Sequence, residues 1–166
     1  MRNFKGPDKA APFSEGRHIL QEIKAYLHEH IPLSKAMGVA VVRADASGVV
    51  LSAPLEPNIN HRETVFGGSA SSLAILAAWS VVHFGLRREG LSCRVVIRKN
   101  SMAYDKPIDG LFTARCHAPA EETWQRFLAM LRRKRMARIE LSSVLEYREA
   151  VAGTMDGVFV AIRTDG

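Results

Sequence analysis

The feature that most restricts what this chain can become is the stretch from Thr64-Val65-Phe66-Gly67-Gly68-Ser69 onward to about Leu86. Leu73, Ile75, Leu76, Ala77, Trp79, Val81, Val82 and Phe84 occupy every side of a helix drawn through it. A helix without a polar face has to be enclosed on all sides. Its most apolar part, Ser69–Phe84, also carries Ser71, Ser72, Ser80 and His83 and is too short and too polar for a membrane span. The expectation is therefore a core helix wrapped by the rest of its own chain. At 166 residues and 18.3 kDa the chain is one domain's worth, long enough to bury roughly 70% of its unfolded surface without staples.

The flanking sequence supplies the wrapping. Residues 1–14, with Gly6, Pro7 and Pro12, read as a flexible leader, and the domain proper as 15–166. Ile19, Ile23, Leu27 and Ile31 recur every fourth residue, predicting an amphipathic first helix with Ser14 as N-cap and Pro32 just past its end. Valine-rich runs at 36–43 and 48–55, split by Asp45-Ala46-Ser47-Gly48, predict a strand pair. After the apolar helix, strands are expected over 93–104, 110–117, 136–147 and 150–163. A short helix fits 121–131, with acidic residues at its start and Arg132-Arg133-Lys134-Arg135 after it. Consecutive strands with short turns give an antiparallel sheet, so the fold class is α+β in a single domain.

Composition narrows the partners. Lys and Arg total 23 against 17 acidic residues, a net charge of +6, which favours an anionic partner. Arg94, Arg98 and Lys99 on one strand and the run 132–135 are the candidate anchors. The run lacks interleaved aromatics, so nucleic acid is not expected. Cys93 and Cys116 are too few for a disulfide framework, and the six histidines show no metal-ligand spacing. No metal and no separate cofactor are expected. Reduced thiols and a polar N-terminus without a signal-peptide core point to the cytoplasm.

The candidate chemistry lies in the loop Asn58-Ile59-Asn60-His61-Arg62-Glu63 and the Phe66-Gly67-Gly68-Ser69 junction that follows. Glycines there permit close backbone approach and unusual dihedral angles. The first amides of a helix have no intrahelical partner and sit at the positive end of its dipole. A carbonyl placed against them has its developing negative charge stabilised, as in an oxyanion hole. Asn58 and Asn60 are candidates to orient a water or a carbonyl there. No Lys-Ser/Thr follows the glycines, so this is not a nucleotide phosphate loop. Nor does Gly68-Ser69-Ala70 form a nucleophile elbow.

The element order and the Asn60…Phe66-Gly67-Gly68 spacing resemble the hotdog-fold acyl thioesterases. More narrowly, Asn58-x-Asn60-x-x-x-Thr64-x-Phe66-Gly67-Gly68-Ser69 with Trp79 resembles the YiiD C-terminal-type thioesterase family, and Lys99–Pro107 is similar to its strand ending in Tyr-x-x-Pro. The resemblance covers about residues 16–163. It implies a curved antiparallel sheet wrapped around the central helix, pairing of chains edge to edge as a homodimer or dimer of dimers, and an acyl chain lying between them. The implied activity is hydrolysis of a fatty acyl thioester of coenzyme A or acyl carrier protein, coenzyme A being part of the substrate. Asn60, Gly67 and Gly68 fall on the catalytic positions, and Asn58, Thr64, Phe66, Ser69, Ser72 and Arg98 are the expected substrate contacts.

Two departures stand out against that resemblance. Phe66 replaces the histidine of the broader group, and the helix carboxylate expected nine residues later falls on Ile75. A general base is then sought among His61, Glu63, Ser71, Ser72 and, approaching across a dimer, Asp105. Ile75 also leaves room for a binding module without turnover. A carrier-bound 3-hydroxyacyl dehydratase is a third reading, with His61 or His83 as its histidine.

Overall fold

A computed structural model describes residues 12–164. Residues 1–11, most of the expected leader, lie outside the described residues. Helix α1 spans Pro12–His30, so Ser14 lies within it rather than capping it. Pro32 ends α1 and also opens a one-turn helix α2, Pro32–Ala36, because proline's fixed φ and missing N–H suit a first helical position. That turn displaces the first strand of the expected pair: β1 is Ala40–Asp45 and β2 is Gly48–Ala53. Asp45 Oδ1 accepts the Ser47 N–H at 2.7 Å, and Gly48 takes φ +140° at the turn's end.

The remaining elements are α3 (Gly67–Arg88), β3 (Cys93–Tyr104), β4 (Phe112–His117), α4 (Glu121–Lys134), β5 (Met136–Tyr147) and β6 (Ala150–Arg163). All strand pairs are antiparallel and form one six-stranded sheet in the order β1-β2-β4-β5-β6-β3. The sheet curls around α3, an α+β hotdog architecture in one domain.

By length and composition α3 would suffice to cross a membrane, but most of it is buried inside the fold. Leu73, Ala74, Ala77, Ala78, Val82 and Leu86 are inaccessible or nearly so, each large apolar side chain contributing about 1.5–3 kcal/mol through burial. Trp79 Nε1 donates to Val95 O at 2.9 Å and ties the helix to β3. The Trp124 ring packs on Gly85, where a Cβ would approach to 2.9 Å, so α4 closes over the C-terminal end of α3. Along β3, Val95 faces inward and Arg94 and Val96 outward, until a bulge between Ile97 and Lys99 interrupts the alternation at Arg98.

Helix α1 is joined to α3 by stacked rings. Tyr26 stacks on His30 and His83 at centroid distances of 4.0 and 5.0 Å, and His83 stacks on Trp79 at 4.4 Å. His83 Nε2 is buried without a partner. Burial first, then the positive charge of Arg87 and the proximity of His30, push its pKa from 6.5 down to about 4. Between those values the unfolded chain takes up a proton that the folded chain refuses, so stability is full above pH 6.5 and declines toward pH 4. Denaturant midpoints measured from pH 8 to 4.5 should fall less steeply for His83→Phe than for the parent chain.

Candidate active site

The loop before α3 is shaped by its own side chains. Asn58, 2% exposed, ends a 3-10 turn (Glu56–Asn58), and its Nδ2 donates to Met37 O (2.9 Å) and Pro54 O (2.7 Å). Its carbonyl accepts the Phe66 N–H at 2.7 Å. Among the described residues Asn58 Oδ1 is buried without a partner, whereas both ends of the Asn60 amide are engaged. Its Oδ1 accepts the Arg62 N–H (2.8 Å) and the Thr64 N–H (3.2 Å), and its Nδ2 donates to Thr64 Oγ1 at 3.0 Å. Asn amides that bond the backbone two residues on are turn formers. Glu63 sits at φ 60° inside this turn. The Asn58, Asn60 and Thr64 side chains thus brace the loop rather than project from it.

The loop delivers Phe66 in extended conformation (φ −61°, ψ 131°) to the start of α3, with no side-chain cap. Ala70 N–H is the first to find a helical carbonyl, that of Phe66, at 3.0 Å. Among the described residues, the amides of Gly67, Gly68 and Ser69 have no acceptor. Neither glycine has a positive φ, so the expected unusual dihedral angles are absent. What the glycines provide is room: a Cβ on Gly67 would meet the Tyr104 ring at 3.4 Å, and one on Gly68 would lie 2.3 Å from Phe66 Cε1. Two exposed rings, Phe66 at 58% and Tyr104 at 56%, therefore flank the helix end.

Beside that end lies a cavity of about 330 Å³. Val65, Gly67 and Ala70 form one wall, and the segment Tyr104–Ile108, leaving β3, forms the other. Val65 N–H donates to Ile108 O at 2.7 Å and Tyr104 Oη donates to Gly67 O at 3.1 Å, closing the two walls against each other. The amides of Asp105 and Lys106 both donate to Ala152 O, at 2.9 and 3.1 Å. Of the expected site residues Gly67 lines this cavity, whereas Asn58, Asn60, Thr64, Phe66, Gly68, Ser69, Ser72 and Arg98 do not. Ser72 Oγ donates back to Gly68 O at 2.7 Å, a bond within its own helix. Ser69 occupies the third helical position.

The other expected participants fall elsewhere. His61 and Glu63 are exposed on the loop and do not line the cavity. Ile75 is half-buried and packs on the core. The run 132–135 ends α4, where Arg132 pairs with Glu89 at 3.3 Å just past α3. At 1.5 Å per residue, that is about 30 Å along α3 from the glycines. The loop-and-motif reading missed the roles of Tyr104, Asp105 and Lys106 as walls of the cavity. The signal was available: a 22-residue helix climbs about 33 Å and a 12-residue strand returns about 40 Å, so β3 must end near where α3 begins.

This fold and this helix end can be placed among known proteins. A family model described as "Putative thioesterase (yiiD_Cterm)" matches residues 20–163. The chain belongs to that family. A crystal structure of a protein of unknown function from Chlorobaculum tepidum is 30% identical, with TM-score 0.83 over 90% of this chain and 97% of that one. One from Shewanella oneidensis, described as a "putative thioesterase", is 24% identical, with TM-score 0.79 over 88% and 99%. A Haemophilus influenzae thioesterase shares the fold at 11% identity, with TM-score 0.64 over 87% and 90%.

Asn58 offers a test of the loop's construction. Asn58→Ala strips two interior carbonyls of their donor, each loss costing about 1–3 kcal/mol. We expect urea denaturation to show a destabilisation of about 2–4 kcal/mol on that basis.

Proposed function

We propose that the protein hydrolyses a fatty acyl thioester of coenzyme A or acyl carrier protein at the N-terminal end of α3. The observation that carries this reading is the set of three amides, Gly67, Gly68 and Ser69, without acceptors at the start of α3, where Gly67 lines a cavity large enough for a thioester group. The thioester carbonyl oxygen accepts from these amides as the tetrahedral intermediate forms. One such donor is worth about 3 kcal/mol, or 100-fold and more in rate. Phe66, exposed at the start of α3, supplies apolar surface for the acyl chain, and Lys106 in the cavity wall supplies a cation for an anionic carrier. Asn60 acts at one remove, by holding the turn that aims Phe66 and Gly67; its bonds leave it no free end for substrate in this state.

The assembly proposed is a homodimer through β3. That strand is 12 residues long, lies at the sheet's edge and has only β6 beside it. An uncovered edge of that length is a template for a second strand. Sedimentation velocity should give twice the 18.3 kDa of one chain, or four times if dimers pair. Cys93 and Cys116 form no disulfide among the described residues, and burial pushes Cys116 up to about 11, which suits a reducing, cytoplasmic setting.

Release of free thiol from acyl-CoA substrates of graded length, and from acyl carrier protein, tests the activity directly. Turnover with at least one series is expected, and Asn60→Ala should lower kcat tenfold or more with the fold retained. Ile75 in place of a helix carboxylate favours a second reading, an acyl-thioester binding module without turnover. Micromolar binding with no thiol released from any substrate would select it.

A further inference from the structure

We propose that Asp105 is the general base of this site. The inference rests on the thioesterase reading and supplies what that reading lacks, a proton acceptor in place of the carboxylate missing at Ile75.

Elimination comes first. A general base must reach the attacking water within hydrogen-bonding distance, directly or through one further water. Of the acidic and histidine candidates near α3's first turn, His61 lies against Arg62, with Nε2 at 3.4 Å from Arg62 Nε, and Glu63 is exposed in the turn; neither lines the cavity. Ser72 is spent on Gly68 O. The ionisable groups in the cavity wall are Tyr104, Asp105 and Lys106, the rest of the lining being uncharged. Tyr104 already donates to Gly67 O, and a lysine ammonium has no lone pair to accept a proton.

Placement comes second. The Asp105 and Lys106 amides share the Ala152 carbonyl, and Val65 and Ile108 are joined backbone to backbone on the facing wall. The segment bearing Asp105 is therefore fixed relative to Gly67 on both sides. Among the described residues no ion pair or side-chain hydrogen bond engages the Asp105 carboxylate, whereas Asp45, Asp109 and Glu146 all have partners. Asp105 lines the same cavity as Gly67 within one protomer, so the base need not come across a dimer.

The chemistry balances with water as the only co-reactant. Asp105 takes one proton from water as the water oxygen bonds to the thioester carbon. The carbonyl electron pair moves onto oxygen, held by the Gly67 and Gly68 amides. Collapse reforms the carbonyl and breaks the C–S bond, and the sulfur leaves with the proton returned from Asp105. The products are a carboxylic acid and a thiol.

The test compares steady-state kinetics of the full chain with the best acyl-CoA substrate. Asp105→Asn should lower kcat about 100-fold or more, change KM less than threefold and remove the acidic limb of the pH–rate profile. Glu63→Gln should stay within twofold of wild type. Asp105→Ala should recover activity with added formate, an exogenous proton acceptor, which a purely structural role would not allow; this arm holds even if the Asn variant folds poorly. Wild-type turnover with Asp105→Asn retaining its rate and acidic limb, or a collapse in Glu63→Gln instead, overturns the assignment and leaves the thioesterase reading standing. No thiol release by wild type defeats that reading first, and the assignment with it.

Discussion

Everything in this structure follows from enclosing a helix that has no polar side. Helix α3 can satisfy its backbone internally, but its side chains require apolar contact all round, and one curved sheet provides most of it. Enclosure has to fail somewhere, and it fails at the N-terminal end, where backbone donors without partners are unavoidable. Most helices meet this with a Ser, Thr, Asp or Asn cap. Here the N-cap is Phe66, which has nothing to offer an N–H. The donors are left to whatever comes against them, so the same constraint that builds the core also leaves an electropositive helix end beside an opening.

The loop is the counterpart of that bare end. Two asparagines and a threonine, residue types that look ready for catalysis on an irregular segment, spend side-chain hydrogen bonds on the backbone and on one another. They present Phe66 in extended geometry just before the two glycines that open α3, Asn60 and Thr64 bonding within the loop and Asn58 tying it to Met37 and Pro54. A site can thus depend on asparagines that touch no substrate. Tyr104 lies at ordinary contact distance from where a Cβ on Gly67 would stand, and a Cβ on Gly68 would require the exposed Phe66 ring to move.

Much of this is legible in the sequence because the signals are periodic. The strands 93–104, 136–147 and 150–163 coincide with alternating segments, and α3 with an uninterrupted apolar one. What the sequence obscures is directional. Pro32 looks like a stop and is also a start, so β1 lies further along than its valines suggest. Asn58 looks like a functional amide, and only its burial against Met37 and Pro54 shows otherwise. Arg98 belongs to an alternating run until a bulge removes it from register. The far wall of the cavity, Tyr104 to Ile108, is distant in sequence from the glycines it faces, and no local pattern announces such a contact.

The position of the acidic group has an energetic logic. A carboxylate at residue 75 would sit half-buried against the core, where desolvation raises its pKa and costs stability unless a partner is supplied. Ile75 avoids that cost and adds apolar contact to α3 instead. The proposed base stands instead at the end of β3, exposed to solvent on a segment held by backbone bonds to Ala152 O. The polar work of the site is then divided between two elements: the helix end supplies fixed dipoles, and the strand end supplies the titrating group. The Tyr104–Gly67 and Val65–Ile108 bonds keep the two in register, so a helix that must be wholly apolar can still serve a reaction that needs a base.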